Sequence, residues 1–111
     1  MGISLIPTTA NLKARVSTPC DLVARSIVIG RTRIDDDEDT DATLTYALTQ
    51  NGSSAGSGSL TWEDDGYDNA WAARFTLPAT AGVLTAVVTI VATVDEVERT
   101  TRMQTSIEVI A

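Results

Sequence analysis

Residues 82–93 read Gly-Val-Leu-Thr-Ala-Val-Val-Thr-Ile-Val-Ala-Thr, and the fold turns on how they are read. With a period of two, Leu84, Ala86, Val88, Ile90 and Ala92 face one way, while Thr85, Val87, Thr89, Val91 and Thr93 face the other. Helical spacing through Leu84, Val87, Val88 and Val91 fits the same residues. β-Branched side chains lose rotamer freedom in a helix and pack well on a pleated surface, so their dominance here selects a strand.

The flanking segments repeat the pattern. In Thr43 to Thr49, Leu44, Tyr46 and Leu48 share one face and Thr43, Thr45 and Thr49 the other. Ser59 to Glu63 places Leu60 and Trp62 together, and Trp71 to Leu77 places Trp71, Ala73, Phe75 and Leu77 opposite Arg74 and Thr76. Val97 to Ile110 reads as a closing strand with Met103, Ile107 and Val109 on one parity. The first third is weaker: Leu12, Ala14 and Val16 alternate with Lys13 and Arg15, and Asp21 to Ile29 is a β-branched run in which Val23, Ile27 and Ile29 share a parity with Arg25. Turn residues separate these segments at Thr18-Pro19, Asp35 to Asp41, Asn51 to Gly58, Asp64-Asp65-Gly66, Pro78 to Gly82 and Asp95-Glu96. No stretch reads as a capped amphipathic helix. The expectation is an all-β antiparallel sandwich of about seven to nine strands. Its core would be Leu44, Tyr46, Leu48, Leu60, Trp62, Trp71, Phe75, Leu77, Leu84, Val88 and Ile90. Residues 1–9 would form an N-terminal arm or edge strand and residues 10–111 a single domain.

Composition narrows the chemistry. A chain of 111 residues fits one domain with one core. It contains no histidine, which removes the Ser-His-Asp triad, imidazole metal ligation and the histidine pH switch. Cys20 is the only cysteine, so an internal disulfide is impossible, and a small buried filler is its expected role. Fifteen acidic residues against 8 basic give a net charge of -7, which repels a nucleic-acid backbone. Met1 to Ala14 has no positive charge ahead of its apolar residues and does not read as a secretory signal. The longest apolar stretch, Gly82 to Val94, is too short and too threonine-rich to span a bilayer as a helix. These features predict a chain made in the cytosol, with neither membrane nor nucleic acid as partner.

From Ala42 onward the order is a strand, a Gly/Ser-rich loop, Leu60-Thr61-Trp62, an Asp-Gly turn, Gly66-Tyr67, then Trp71-Ala72-Ala73-Arg74-Phe75-Thr76-Leu77-Pro78, a Gly82 turn and two long late strands. This order resembles immunoglobulin-like modules, although the cysteine pair and packed tryptophan of antibody-type domains are missing. Small Thr/Ala/Val-rich modules of this kind are similar to accessory proteins of bacteriophage virions: capsid decoration, head-tail joining or tail components. The resemblance implies a structural protein of the virion, present in many copies or as a homo-oligomer, whose partners are capsid or tail subunits.

Several residues invite a chemical reading. Asp35, Asp37, Asp39 and Asp41 alternate along an acidic run and could offer hard oxygens to calcium, with Glu63, Asp64, Asp65 and Asp68 from a second loop. The run is no EF-hand loop: Thr40 stands where the glycine is required, and Tyr46 where the twelfth-position glutamate would be. A calcium-dependent carbohydrate-binding or adhesion module is therefore the alternative to the structural reading. Adjacent acids are more commonly a solvated loop, and Asp36 and Glu38 could instead meet a basic partner. Paired carboxylates could do acid/base work on a glycoside, yet nothing in the sequence desolvates them. Asn51 to Gly58 lacks the Gly-Lys-Ser/Thr ending of a P-loop and reads as a flexible hairpin connection. Tyr67 beside Gly66 is a surface candidate, whereas Trp62 and Trp71 fall on inward positions. Ile3, Leu5 and Ile6 could add to a sheet edge of a neighbouring subunit, where backbone hydrogen bonds supply affinity. No residue is assigned a catalytic role and no cofactor is expected.

Overall fold

The computed structural model describes residues 2–7, 14–34, 41–63 and 70–111. Within them the chain forms β1 (Gly2–Pro7), β2 (Ala14–Arg15), β3 (Pro19–Arg25), β4 (Val28–Ile29), β5 (Thr32–Arg33), β6 (Thr43–Gln50), β7 (Ser53–Glu63), β8 (Ala70–Thr76), β9 (Gly82–Val94) and β10 (Val97–Ile110). The class is all-β, with no helix among the described residues. Eight strands make one mixed sheet in the order β1-β3-β8-β7-β6-β9-β10-β2, and β4 pairs β5 in a separate small hairpin. Among the described residues only the β2–β10 pairing is parallel.

Strand β7 belongs to both halves of this sheet. Its Ser53–Leu60 portion pairs with β6, while only Thr61–Glu63 pairs with β8. The sheet therefore bends there and wraps, nearly barrel-like, around a single core. Leu22 and Trp71 come to that core from one half, and Leu44, Leu84, Val88 and Ile90 from the other. Ile3, Leu5, Met103 and Ile107 pack against it at half-buried positions. At about 3.3 Å per residue, the 14 residues of β10 span about 46 Å, which accounts for the 47 Å long axis of the molecule.

The alternation in β6 and β9 is as the sequence predicts. Leu44, Tyr46 and Leu48 are buried while their threonine neighbours are exposed, and β9 buries Leu84, Ala86, Val88, Ile90 and Ala92. Burying such a Leu or Ile contributes roughly 1.5–3 kcal/mol each. Trp62 and Phe75, expected inside, are only half-buried. Trp62 stands edge-on to Trp71 at 5.6 Å, and Phe75 lies 5.8 Å from Tyr46, at the margin of the core.

Two expectations need correction. Asn51 to Gly58 is not a flexible connection: Asn51 and Gly52 alone make the turn, both with positive φ, and Ser53 already begins β7. Asn-Gly is a strong two-residue hairpin signal, because both positions must be left-handed. Among the small residues that follow, Gly58 serves packing. Gly58 sits directly opposite Tyr46, and a Cβ on it would come within 2.7 Å of the phenol oxygen, so the ring lies across the bare backbone. Second, Asp21 to Ile29 is not one strand. Ser26, at φ 54, breaks it into β3 and β4 and turns Ile27 into the core, where the Ile34 N–H donates to the Ile27 carbonyl at 2.9 Å. Gly2–Pro7, expected as an arm or edge strand, lies at the end of the strand order and runs antiparallel to β3 from Gly2↔Arg25 to Pro7↔Cys20.

Candidate functional site

The outward face of β3, β8 and β7 carries the most built polar feature of the molecule. Register places Asp21 opposite Arg74, and Val23 opposite Ala72, which itself lies opposite Thr61. Alternation turns all five away from the core. Asp21 is 4% exposed. A buried carboxylate is costly unless paired and hydrogen-bonded, and Arg74 meets that need. Its Nε donates to Oδ1 at 2.7 Å and its Nη2 to Oδ2 at 3.1 Å. The fork is bidentate, the strong form of such a bond. The hydrogen bond to Asp21 and the carboxylate's charge raise the Arg74 pKa further above its ordinary value. A carboxylate held in two short bonds is a tie between strands rather than a free base.

Beside this pair, where β7 and β8 splay apart, lies a cleft of about 410 Å³. It is lined by Tyr46, Ser59, Thr61, Glu63, Ala72 and Ala73 together with the pair itself. The Thr61 hydroxyl donates to Glu63 Oε1 at 2.9 Å. The recess thus offers hydroxyls, a carboxylate and the exposed part of the Arg74 side chain, a surface suited to docking a polar group. The sequence held a signal for it: one acid inside the apolar run from Cys20 to Ala24, and one arginine on the strand from Trp71 to Leu77.

The other candidates are scattered. Ile3 and Leu5 lie half-buried on the inward face of β1, whereas Ile6 points the other way and is 38% exposed. β1 ends the strand order, so one of its backbone edges has no strand beside it in the sheet. Asp41 is exposed with φ 49, and Glu63 lines the cleft. Asp35, Asp36, Asp37, Glu38, Asp39, Asp64, Asp65, Tyr67 and Asp68 lie outside the described residues. Among the described residues no three Cys, Asp or Glu side chains come together as metal ligands. Cys20 is fully buried, and burial first, then the charge of Asp21, pushes its thiol up to about 11. Trp71 is buried and its indole N–H donates to the Ile34 carbonyl at 2.8 Å.

At the opposite end of the sheet, β10 pairs with β9 along its whole length but with β2 only at Val109 and Ile110. Its second edge, from Val97 to Glu108, pairs with no strand among the described residues, although the wrapping of the sheet brings β1 within 8 Å of β10. Among them there is also no helix long and apolar enough to cross a membrane. Comparison of the chain with known protein families, with curated proteins and with solved structures found no match.

Proposed function

We propose that the chain is a non-enzymatic structural protein of a bacteriophage particle, an immunoglobulin-like sandwich module that attaches to capsid or tail subunits through its sheet edges, its N-terminal strand and its acidic loops. The observation that carries this reading is the strand order. It leaves β1 at one end of the strand order and most of β10 at the other, each with an edge that no described strand pairs, and backbone groups on such edges can bind a further strand. Such edges otherwise template aggregation in a Thr/Val-rich β protein, and a neighbouring subunit that covers them removes the hazard. On β1, Ile6 offers an apolar contact beside that edge. The net charge of -7 suits a basic partner surface, which Asp36 and Glu38 would meet.

The test is co-sedimentation of the chain with particles assembled from the genome that encodes it. The wild-type chain is expected to travel with capsids or tails, and Ile6→Glu to be released from them. Deleting Gly2–Pro7 gives the larger lesion, while the point change leaves the β1–β3 pairing in place. A chain that never co-sediments with particles, or an Ile6→Glu variant and a folded deletion variant that both bind as the wild type does, would contradict the reading.

A further inference from the structure

We infer that the free edge of β10 pairs antiparallel with the same edge of a second copy of this chain, about a two-fold axis at Thr100. The inference goes beyond the particle reading and does not depend on it. It starts from the backbone. The hairpin joining β9 to β10 turns on Asp95 and Glu96, both with positive φ, so Val94 and Val97 flank a two-residue turn and exchange hydrogen bonds. The pairing then continues without a bulge from Val97↔Val94 to Val109↔Gly82. Odd-numbered residues of β10 therefore bond to β9, and even-numbered ones turn their N–H and C=O to the free edge. The Ile110 carbonyl, which accepts from the Val16 N–H at 2.9 Å on that side, fixes the parity directly. Val97, Glu98, Arg99 and Thr100 are all exposed, whichever face they occupy, so among the described residues nothing buries this end of the strand.

Side chains then choose the partner and the register. Glu98 and Arg102 point to the same outward face and stand opposite Thr93 and Thr89 of β9, which offer no countercharge. Four residues apart on one strand, they are separated by about 13 Å and cannot reach each other. In a two-fold antiparallel pair, a register centred on residue c sets residue i opposite 2c − i of the copy. Centres at 103 or beyond drive the copy's hairpin into β2, which occupies the edge at Val109 and Ile110. Centres at 98, 99 and 102 set Glu98, Arg99 or Arg102 against itself. Of the two that remain, 101 makes no charge pair, whereas 100 sets each Glu98 opposite Arg102 of the copy. It also sets Val97, which is 49% exposed, opposite Met103 on the inward face. Opposite charges directly across strands stabilise and like charges destabilise, so Thr100 is the centre. A contact from Val97 to Met103 is small for a specific interface, so association is expected to be concentration-dependent.

Charge exchange tests this. Light scattering or sedimentation velocity over about a 100-fold concentration range should show the wild type moving from monomer to dimer. Glu98→Arg sets arginine against arginine twice and should abolish the dimer, although it brings the net charge of the chain closer to zero. Arg102→Glu should do the same, and the double exchange Glu98→Arg/Arg102→Glu should restore it. Both side chains are exposed and outside the core, so thermal unfolding at dilutions where the wild type is monomeric should be unchanged in all three. A wild type that stays monomeric, including one that uses this edge only for a different protein, overturns the inference. So does undiminished dimerisation of Glu98→Arg, or a double exchange that fails to restore the dimer.

Discussion

Strands β9 and β3 lie in one sheet, yet they meet their surroundings in opposite ways. β9 buries every second residue and leaves threonines and valines on its other face partly in solvent. β3 is buried on both faces, with Cys20, Leu22 and Ala24 in the main core and Asp21 and Val23 covered on the outward side. One face of β9 does the holding and the other is surface. In β3 even the outward face is structural, because Asp21 there is tied to Arg74 and Val23 packs in a small cluster with Ala70 and Ala72. The two halves of the sheet thus divide the work: the β3–β8 side builds a recess, and the β9–β10 side presents a long edge that no described strand pairs.

Paired truncations separate the two environments most sharply. Ile90→Ala should cost about 2–5 kcal/mol, and its neighbour Thr89→Ala under about 1 kcal/mol. On β3, Leu22→Ala and Val23→Ala should both cost more than about 1 kcal/mol. Chemical denaturation of the four variants checks this, and an inexpensive Val23→Ala would break the contrast. Next in size, Asp21→Asn keeps the shape but loses the charge-assisted fork, and should cost about 1–3 kcal/mol in the same assay.

Gly58→Ala forces a methyl into the Tyr46 ring and should cost about 1–3 kcal/mol by overpacking. Repeating it in a Tyr46→Leu background should remove most of that penalty, a coupling that a double-mutant cycle reads. The smallest effect has the opposite sign. Asp95 and Glu96 hold left-handed backbone without glycine, so Asp95→Asn with Glu96→Gly should stabilise the hairpin by about 1 kcal/mol.

One dependence on pH bears on β3. Cys20 is held neutral in the fold, its pKa raised from 9.0 to about 11, so the folded chain binds more protons than the unfolded chain between those values. Stability from this source is complete below pH 9 and is lost as pH rises toward about 11. Denaturation midpoints measured across that window should fall more steeply for the wild type than for Cys20→Ala.

The same contrast explains what could be read from the sequence. Period-two reading works where one face is wet, which is why Leu44, Tyr46, Leu48, Leu84, Val88 and Ile90 were recognisable as core. It fails on β3, where a strand covered on both sides carries no alternation, and the break at Ser26 leaves no mark in a β-branched run. Asp21 and Arg74 become a pair only through register, 53 residues apart in the chain. At Asn51-Gly52 the signal was present, but the following Gly and Ser residues read as a flexible loop. At Gly58 smallness is explained only by the Tyr46 ring lying across it.

The central claim is that the sheet ends in an open β10 edge that serves to hold a neighbour. Amide hydrogen exchange, followed residue by residue at low and at high protein concentration, tests it most directly. In dilute solution Arg99, Thr101 and Met103 should be protected by β9 while Glu98, Thr100 and Arg102 exchange freely, and the second set should gain protection on concentration. Protection of both sets in the dilute protein, or no change in the even-numbered residues at high concentration, would contradict the account.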